Sequence, residues 1–74
     1  MKTIFSVETE GEANLIIDKV IAIGLTKELI ALSFKVAADN TKSVKIRERA
    51  ITVLYFLGVN DPMVHRLLGK IYFP

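Results

Sequence analysis

NTKSVKIRERAITVLYFL, residues 40–57, divides into a polar, cationic half and an apolar half. The first half carries Lys42, Lys45, Arg47 and Arg49; the second runs from Ala50 to Leu57 with only Thr52 interrupting it. Ile46, Ala50, Val53, Leu54 and Leu57 fall at the spacing of one helix face. That spacing predicts a helix over about 42–57, with Lys42, Lys45, Arg49 and Thr52 on a different face. Gly58 followed by Val59 reads as its stop: glycine enters the left-handed position after a helix without steric cost, and an apolar residue follows it. Before the helix, Asp39-Asn40-Thr41 is turn and cap chemistry.

The same stop occurs earlier in the chain. Gly24-Leu25-Thr26 anticipates Gly58-Val59-Asn60, thirty-four residues on, and the pairs Ile17/Ile51, Val20/Leu54 and Ile30/Val64 keep that offset. A helix over about 10–23 leads into the first stop. Thr9 and Glu12 fit a capping box at its start, and Leu15, Ile16, Ile17, Val20, Ile21 and Ile23 give it an unusually broad apolar surface. Thr26 is the expected cap of a second helix over about 27–37, with Leu29, Ile30, Leu32, Phe34 and Val36 turned inward. Asn60 is the expected cap of a fourth over about 61–72. Pro62 suits its first turn, and Met63, Val64, Leu67, Leu68 and Ile71 form its apolar side. Residues 1–8 alternate loosely and predict a short extended arm. The expected fold is all-α: one small four-helix domain of two helical hairpins with an N-terminal arm.

A chain of 74 residues that is 51% hydrophobic has ample core material. At that size, however, only about 60–65% of the unfolded surface is buried. Apolar surface left over would favour self-association, so a homo-oligomer is expected. There is no cysteine, hence no disulfide and no thiolate metal site. The first residues do not read as a signal peptide, and no apolar run approaches the ~20 residues of a membrane span. A cytoplasmic protein without membrane contact is expected.

Catalysis has little support. His65 is the one histidine, with no Ser or Thr placed by local pattern to pair with it, and it reads as a surface residue. Glu10 and Glu12 read as charges at a helix start. Neither glycine stop belongs to a phosphate-binding loop. The expectation is a non-enzymatic protein with no cofactor and no metal.

Charge gives the one positive signal. Residues 1–34 hold three cations against five carboxylates, net −2; residues 35–74 hold seven cations against three carboxylates, net +4. Lys45 and Arg49 stand four apart on the third helix with Lys42 before them, and a stripe of like charge is what a phosphate backbone relieves. Laid over residues 27–46, a helix-turn-helix frame puts the small Ala31 and the apolar Ile30, Phe34, Val36 and Val44 in suitable places. Two places depart from it: Lys35 stands where the turn favours glycine, and Thr41 where it favours Val or Ile. On this reading the third helix enters the major groove, and Lys42, Lys45, Arg47 and Arg49, with Ser43 and Thr41, contact DNA.

Gly24-Leu25-Thr26-Lys27-Glu28-Leu29-Ile30-Ala31 resembles the opening signature of LuxR/GerE-type helix-turn-helix domains, and Asp39-Asn40-Thr41 with Val44-Lys45 resembles their recognition-helix start. Leu57-Gly58-Val59-Asn60-Asp61 is similar to the segment before their last helix. The resemblance implies a dimeric DNA-binding transcription regulator. The same residues also resemble a HEAT-type helical repeat, through Val44-Lys45-Ile46-Arg47-Glu48-Arg49-Ala50, Leu54, Leu57-Gly58, Asp61-Pro62 and Leu67-Leu68. That resemblance implies a protein-interaction or oligomerisation module with a protein partner, in which the cations are a solvated rim.

Overall fold

The structure, a computed structural model, describes residues 5 and 10–73. It is all-α: α1 is Glu10–Ala22, α2 Thr26–Ala38, α3 Val44–Phe56 and α4 Pro62–Tyr72. The expected arm and the Thr9 half of the capping box lie outside the described residues, except that Phe5 is buried in the core. No strand occurs among the described residues.

Both glycine stops form as the sequence predicts. Gly24 has φ +80° and Gly58 φ +74°. At the first, the Leu25 N–H donates to Val20 O at 3.0 Å and the Gly24 N–H to Ile21 O at 3.1 Å. At the second, the Val59 N–H donates to Leu54 O and the Gly58 N–H to Tyr55 O, both at 3.0 Å. These paired bonds satisfy carbonyls that a helix end leaves without partners.

The helix starts differ from expectation by a residue or two. Thr26 does not cap α2. Leu25 holds that position through its backbone, its carbonyl accepting from the Leu29 N–H at 3.0 Å. Leu25 therefore ends one helix and begins the next, and Thr26 is already helical. Asp61, not Asn60, caps α4: its carboxylate accepts from the Met63 N–H at 2.9 Å, and Pro62 follows at the first helical position. The second stop is thus two residues further from the next helix than the first. The thirty-four-residue echo holds for the stops and breaks at the starts. Ser43, and not Asp39, Asn40 or Thr41, caps α3, accepting from the Ile46 N–H at 3.3 Å.

Packing centres on the α2–α3 pair, which meets most extensively; α4 packs on α3 and less on α2, and α1 makes a slighter contact with α2. From α2 come Leu29, Ser33 and Ala37, and from α3 Arg47, Ala50, Ile51, Val53 and Leu54. Ser33, Ala37 and Ala50 are wholly buried. Small side chains at such positions let helix backbones approach closely, which accounts for the extent of this pairing. The Ser33 hydroxyl donates to Leu29 O at 2.8 Å, so its burial leaves no polar atom unpaired. From α4, Val64, Leu67 and Ile71 complete the core.

Five residues of the expected apolar faces are on the surface instead, Ile23, just past α1, among them at 68% exposure. Leu15 and Ile21 of α1, Leu32 of α2 and Met63 of α4 are each at least 44% exposed. These helices carry more apolar surface than the core takes up.

Candidate functional site

The segment joining α2 to α3 is organised by Asp39. Its carboxylate accepts from the Thr41 N–H at 3.0 Å and from the Thr41 hydroxyl, and the Lys42 N–H donates to its carbonyl at 3.1 Å. The bonds from Thr41 hold the Asp39 carboxyl below its ordinary 3.8, with Lys42 and Arg47 adding to the effect. Thr41 is therefore engaged in the turn, and Ser43 is engaged as the α3 cap.

The four cations separate into two environments. Lys42, in the turn before α3, and Lys45 are exposed, and Arg49 is half-buried one turn past Lys45. No acidic residue stands in the first turn of α3, so Lys42 and Lys45 add to the positive end of the helix dipole. Arg47 points the other way. It is buried to 8% exposure, and its Nε donates to the Ala37 carbonyl at 3.0 Å. Arg47, expected among the DNA contacts, is instead turned inward: it bonds a carbonyl in the last turn of α2, where helix carbonyls lack partners and a cation is favoured. The frame laid over residues 27–46 also shifts. It puts a turn at Lys35, whereas α2 runs through Lys35 to Ala38 and the break falls at 39–43.

Past the cations, the outward face of α3 becomes aromatic. Tyr55 and Phe56 are about half exposed, and Tyr55 meets His65 of α4 edge-on, ring centroids 6.5 Å apart. His65 is exposed. Two turns back along α3, between Arg47 and Arg49, the Glu48 carboxylate accepts from the Tyr72 hydroxyl and pushes that phenol above its ordinary 10.0. Glu48 thus links α3 to α4. Neither aromatic contact was visible in sequence, since both partners of each lie on different helices.

Apolar exposure is not confined to α3. Eleven large hydrophobic side chains distributed over all four helices and their ends are 43–85% exposed among the described residues. Among those residues no three His, Asp or Glu side chains gather as a metal site would require, and no helix is long and apolar enough to cross a membrane. Comparison with protein-family models, with curated proteins and with solved structures finds no match to the chain.

Proposed function

We propose that this chain is a protein-interaction module of two HEAT-like helical hairpins, working through the apolar side chains left outside its core. The observation that carries this reading is the spread of exposed Leu, Ile, Val, Met and aromatic residues over all four helices. Single exposed apolar residues are ordinary, but a set of this size on so small a domain is what association buries. Arg47 adds support: bonded to the Ala37 carbonyl, it welds two helices together and is withdrawn from the outward cations. The thirty-four-residue recurrence of the glycine stop fits two hairpins of similar build. The reading is non-enzymatic and needs no cofactor. Lacking cysteine, such a module suits a reducing, cytoplasmic setting.

A second reading, DNA binding by a helix-turn-helix, keeps one specific support: Lys42, Lys45 and Arg49 crowd the acid-free start of α3. The two separate in a duplex titration at two salt concentrations, run beside sedimentation of the free chain. The interaction reading expects self-association or a defined protein complex, with weak duplex binding that reversing Lys45 and Arg49 leaves unchanged. A monomer that binds duplex with a log–log salt slope of about −2.7, as three phosphate contacts imply, would overturn it.

A further inference from the structure

The junction between α1 and α2 is unusually short. Only Ile23, Gly24 and Leu25 lie between the two helices, and Leu25 both closes the first and opens the second. Resting on the interaction reading, we propose that the partner is a second copy of this chain and that the two copies exchange α1. The Gly24 turn opens, α1 and α2 become one straight helix, and each α1 docks on the α2 of the other molecule. The bend is held by Gly24 at φ +80° and Leu25 at φ −103°, ψ 26°; returning these two residues to helical angles makes residues 10–38 continuous. No proline falls within that range. The second glycine stop cannot open in this way. In a fused α3–α4 helix the Pro62 ring would clash with the carbonyl of Gly58, one turn before it.

What each α1 would meet on the other molecule is visible within one chain. α1 packs lightly, and chiefly on α2. Its inward residues Ala13 and Ile17 are buried, Ile17 in the cluster that holds Leu29 of α2. Straightening carries this face up to about 20 Å beyond α2, at about 1.5 Å per residue over the 13 residues of α1. It leaves the matching surface of α2 open, and a second α1 restores the same contacts there. Straightening also aligns a new surface. Leu15, Asp18, Ala22, Leu25, Leu29 and Leu32 then recur at alternating intervals of three and four, the spacing at which long helices pair. All but Leu29 are exposed in the bent chain, so the open form gives Leu15, Leu25 and Leu32 a place to be buried. Asp18 is the one charge among the six, and the charges flanking them, Glu12, Lys19, Glu28 and Lys35, are balanced in sign. Reciprocal exchange closes on a two-fold axis, so it stops at a dimer. At low concentration the tethered α1 of the same chain outcompetes that of a second.

Sedimentation of the full chain across a concentration series tests the exchange with two variants, Gly24→Ala and Lys27→Pro. The wild type is expected to pass from monomer to closed dimer as concentration rises. Alanine resists the left-handed turn and favours the straight helix at both hinges of the dimer, so Gly24→Ala should tighten dimerisation by about a hundredfold or more. Lys27 is exposed in the first turn of α2, where proline is tolerated; inside a straight helix, proline there would clash with the Ile23 carbonyl. Lys27→Pro should therefore give a folded monomer, in the Gly24→Ala background as well. In the wild-type dimer the Thr26, Lys27 and Glu28 amides should exchange more slowly than in the monomer, because the straight helix supplies the carbonyl partners that a first turn lacks. That readout needs neither variant to fold. A dimer that Gly24→Ala does not tighten, that Lys27→Pro leaves intact, or whose Thr26, Lys27 and Glu28 amides exchange as in the monomer would overturn the exchange while leaving the interaction reading in place. A chain monomeric at every concentration, Gly24→Ala included, would overturn it as well, and if it also bound duplex DNA both readings would fall together.

Discussion

Arg47 donates from Nε to the Ala37 carbonyl at 3.0 Å, ten residues back along the chain and across the α2–α3 junction. A charged group hydrogen-bonded at a buried helix end contributes more than a neutral pair, and removing it leaves that carbonyl short of a partner. Arg47→Ala is expected to cost about 2 kcal/mol, which for a domain of this length lowers the Tm by roughly 10 °C. Lys45→Ala, two residues away but exposed, should stay within about 0.5 kcal/mol of wild type. Denaturant unfolding of the pair decides the matter: equal effects would mean that Arg47 does not hold the two helices.

The glycine stops give a cleaner conformational test. A Cβ at Gly24 or Gly58 would meet nothing within 4 Å, so alanine there is opposed by backbone conformation and not by crowding. Gly24→Ala and Gly58→Ala should each cost about 1 kcal/mol for holding a non-glycine residue at positive φ. The consequences should differ in reach. Gly58 ends the central helix, so its effect should appear in global unfolding. Gly24 ends the lightly packed α1, so faster amide exchange confined to α1 is expected. Uniform acceleration in both variants would contradict this division.

These stops were legible in the sequence because a positive φ is a demand that glycine meets almost alone. The helix starts were less so. Asp39, Asn40, Thr41 and Ser43 can all cap a helix, as can Asn60 and Asp61, and which one does depends on where the tertiary packing sets the first turn. The inward faces were ambiguous for a related reason: with apolar residues around most of α1 and α2, periodicity alone does not single out one side. Hence Leu32 looked buried, whereas Ser33 and Ala37, whose small size favours close approach, are the residues that pack. Arg47 looked like Lys45 and Arg49 by type. Its position relative to Ala50, Ile51 and Leu54, at three, four and seven residues, was the available signal that it shares their face.

Two groups tie stability to pH at opposite ends of the scale. Asp39 titrates below its ordinary 3.8 in the folded chain because Thr41 bonds its ionised form. Its contribution is therefore complete above the unfolded value and is lost as pH falls through the lower folded value. Tyr72 is the reverse: bonded to Glu48, it titrates above its ordinary 10.0, so its contribution is complete below 10.0 and is lost as pH rises through the higher folded value. Thermal scans of Asp39→Ala should lose the acid-side dependence below 3.8, and scans of Tyr72→Phe the alkaline-side dependence above 10.0. An unchanged acid limb in the first variant, or alkaline limb in the second, would show that these bonds do not persist in solution.

The contrast between Ser33 and its neighbour Leu32 tests which side of α2 faces the core. Ser33 is wholly buried and Leu32 is 47% exposed, although hydropathy alone would reverse them. Ser33→Leu forces a large side chain into a close helix contact and should cost about 2 kcal/mol. Ser33→Ala should be nearly neutral, since the Leu29 carbonyl that loses the hydroxyl bond lies within the helix ladder. Leu32→Ala should cost under about 1 kcal/mol, against about 3 kcal/mol for Leu54→Ala in the fully buried centre of α3. Chemical denaturation of these four variants fixes the order Leu54→Ala, Ser33→Leu, Leu32→Ala, Ser33→Ala. If Leu32→Ala instead proved as damaging as Leu54→Ala while the protein was dilute, α2 would be packed through its other face. If its cost grew only at concentrations where the chain associates, Leu32 would be buried by a neighbouring copy.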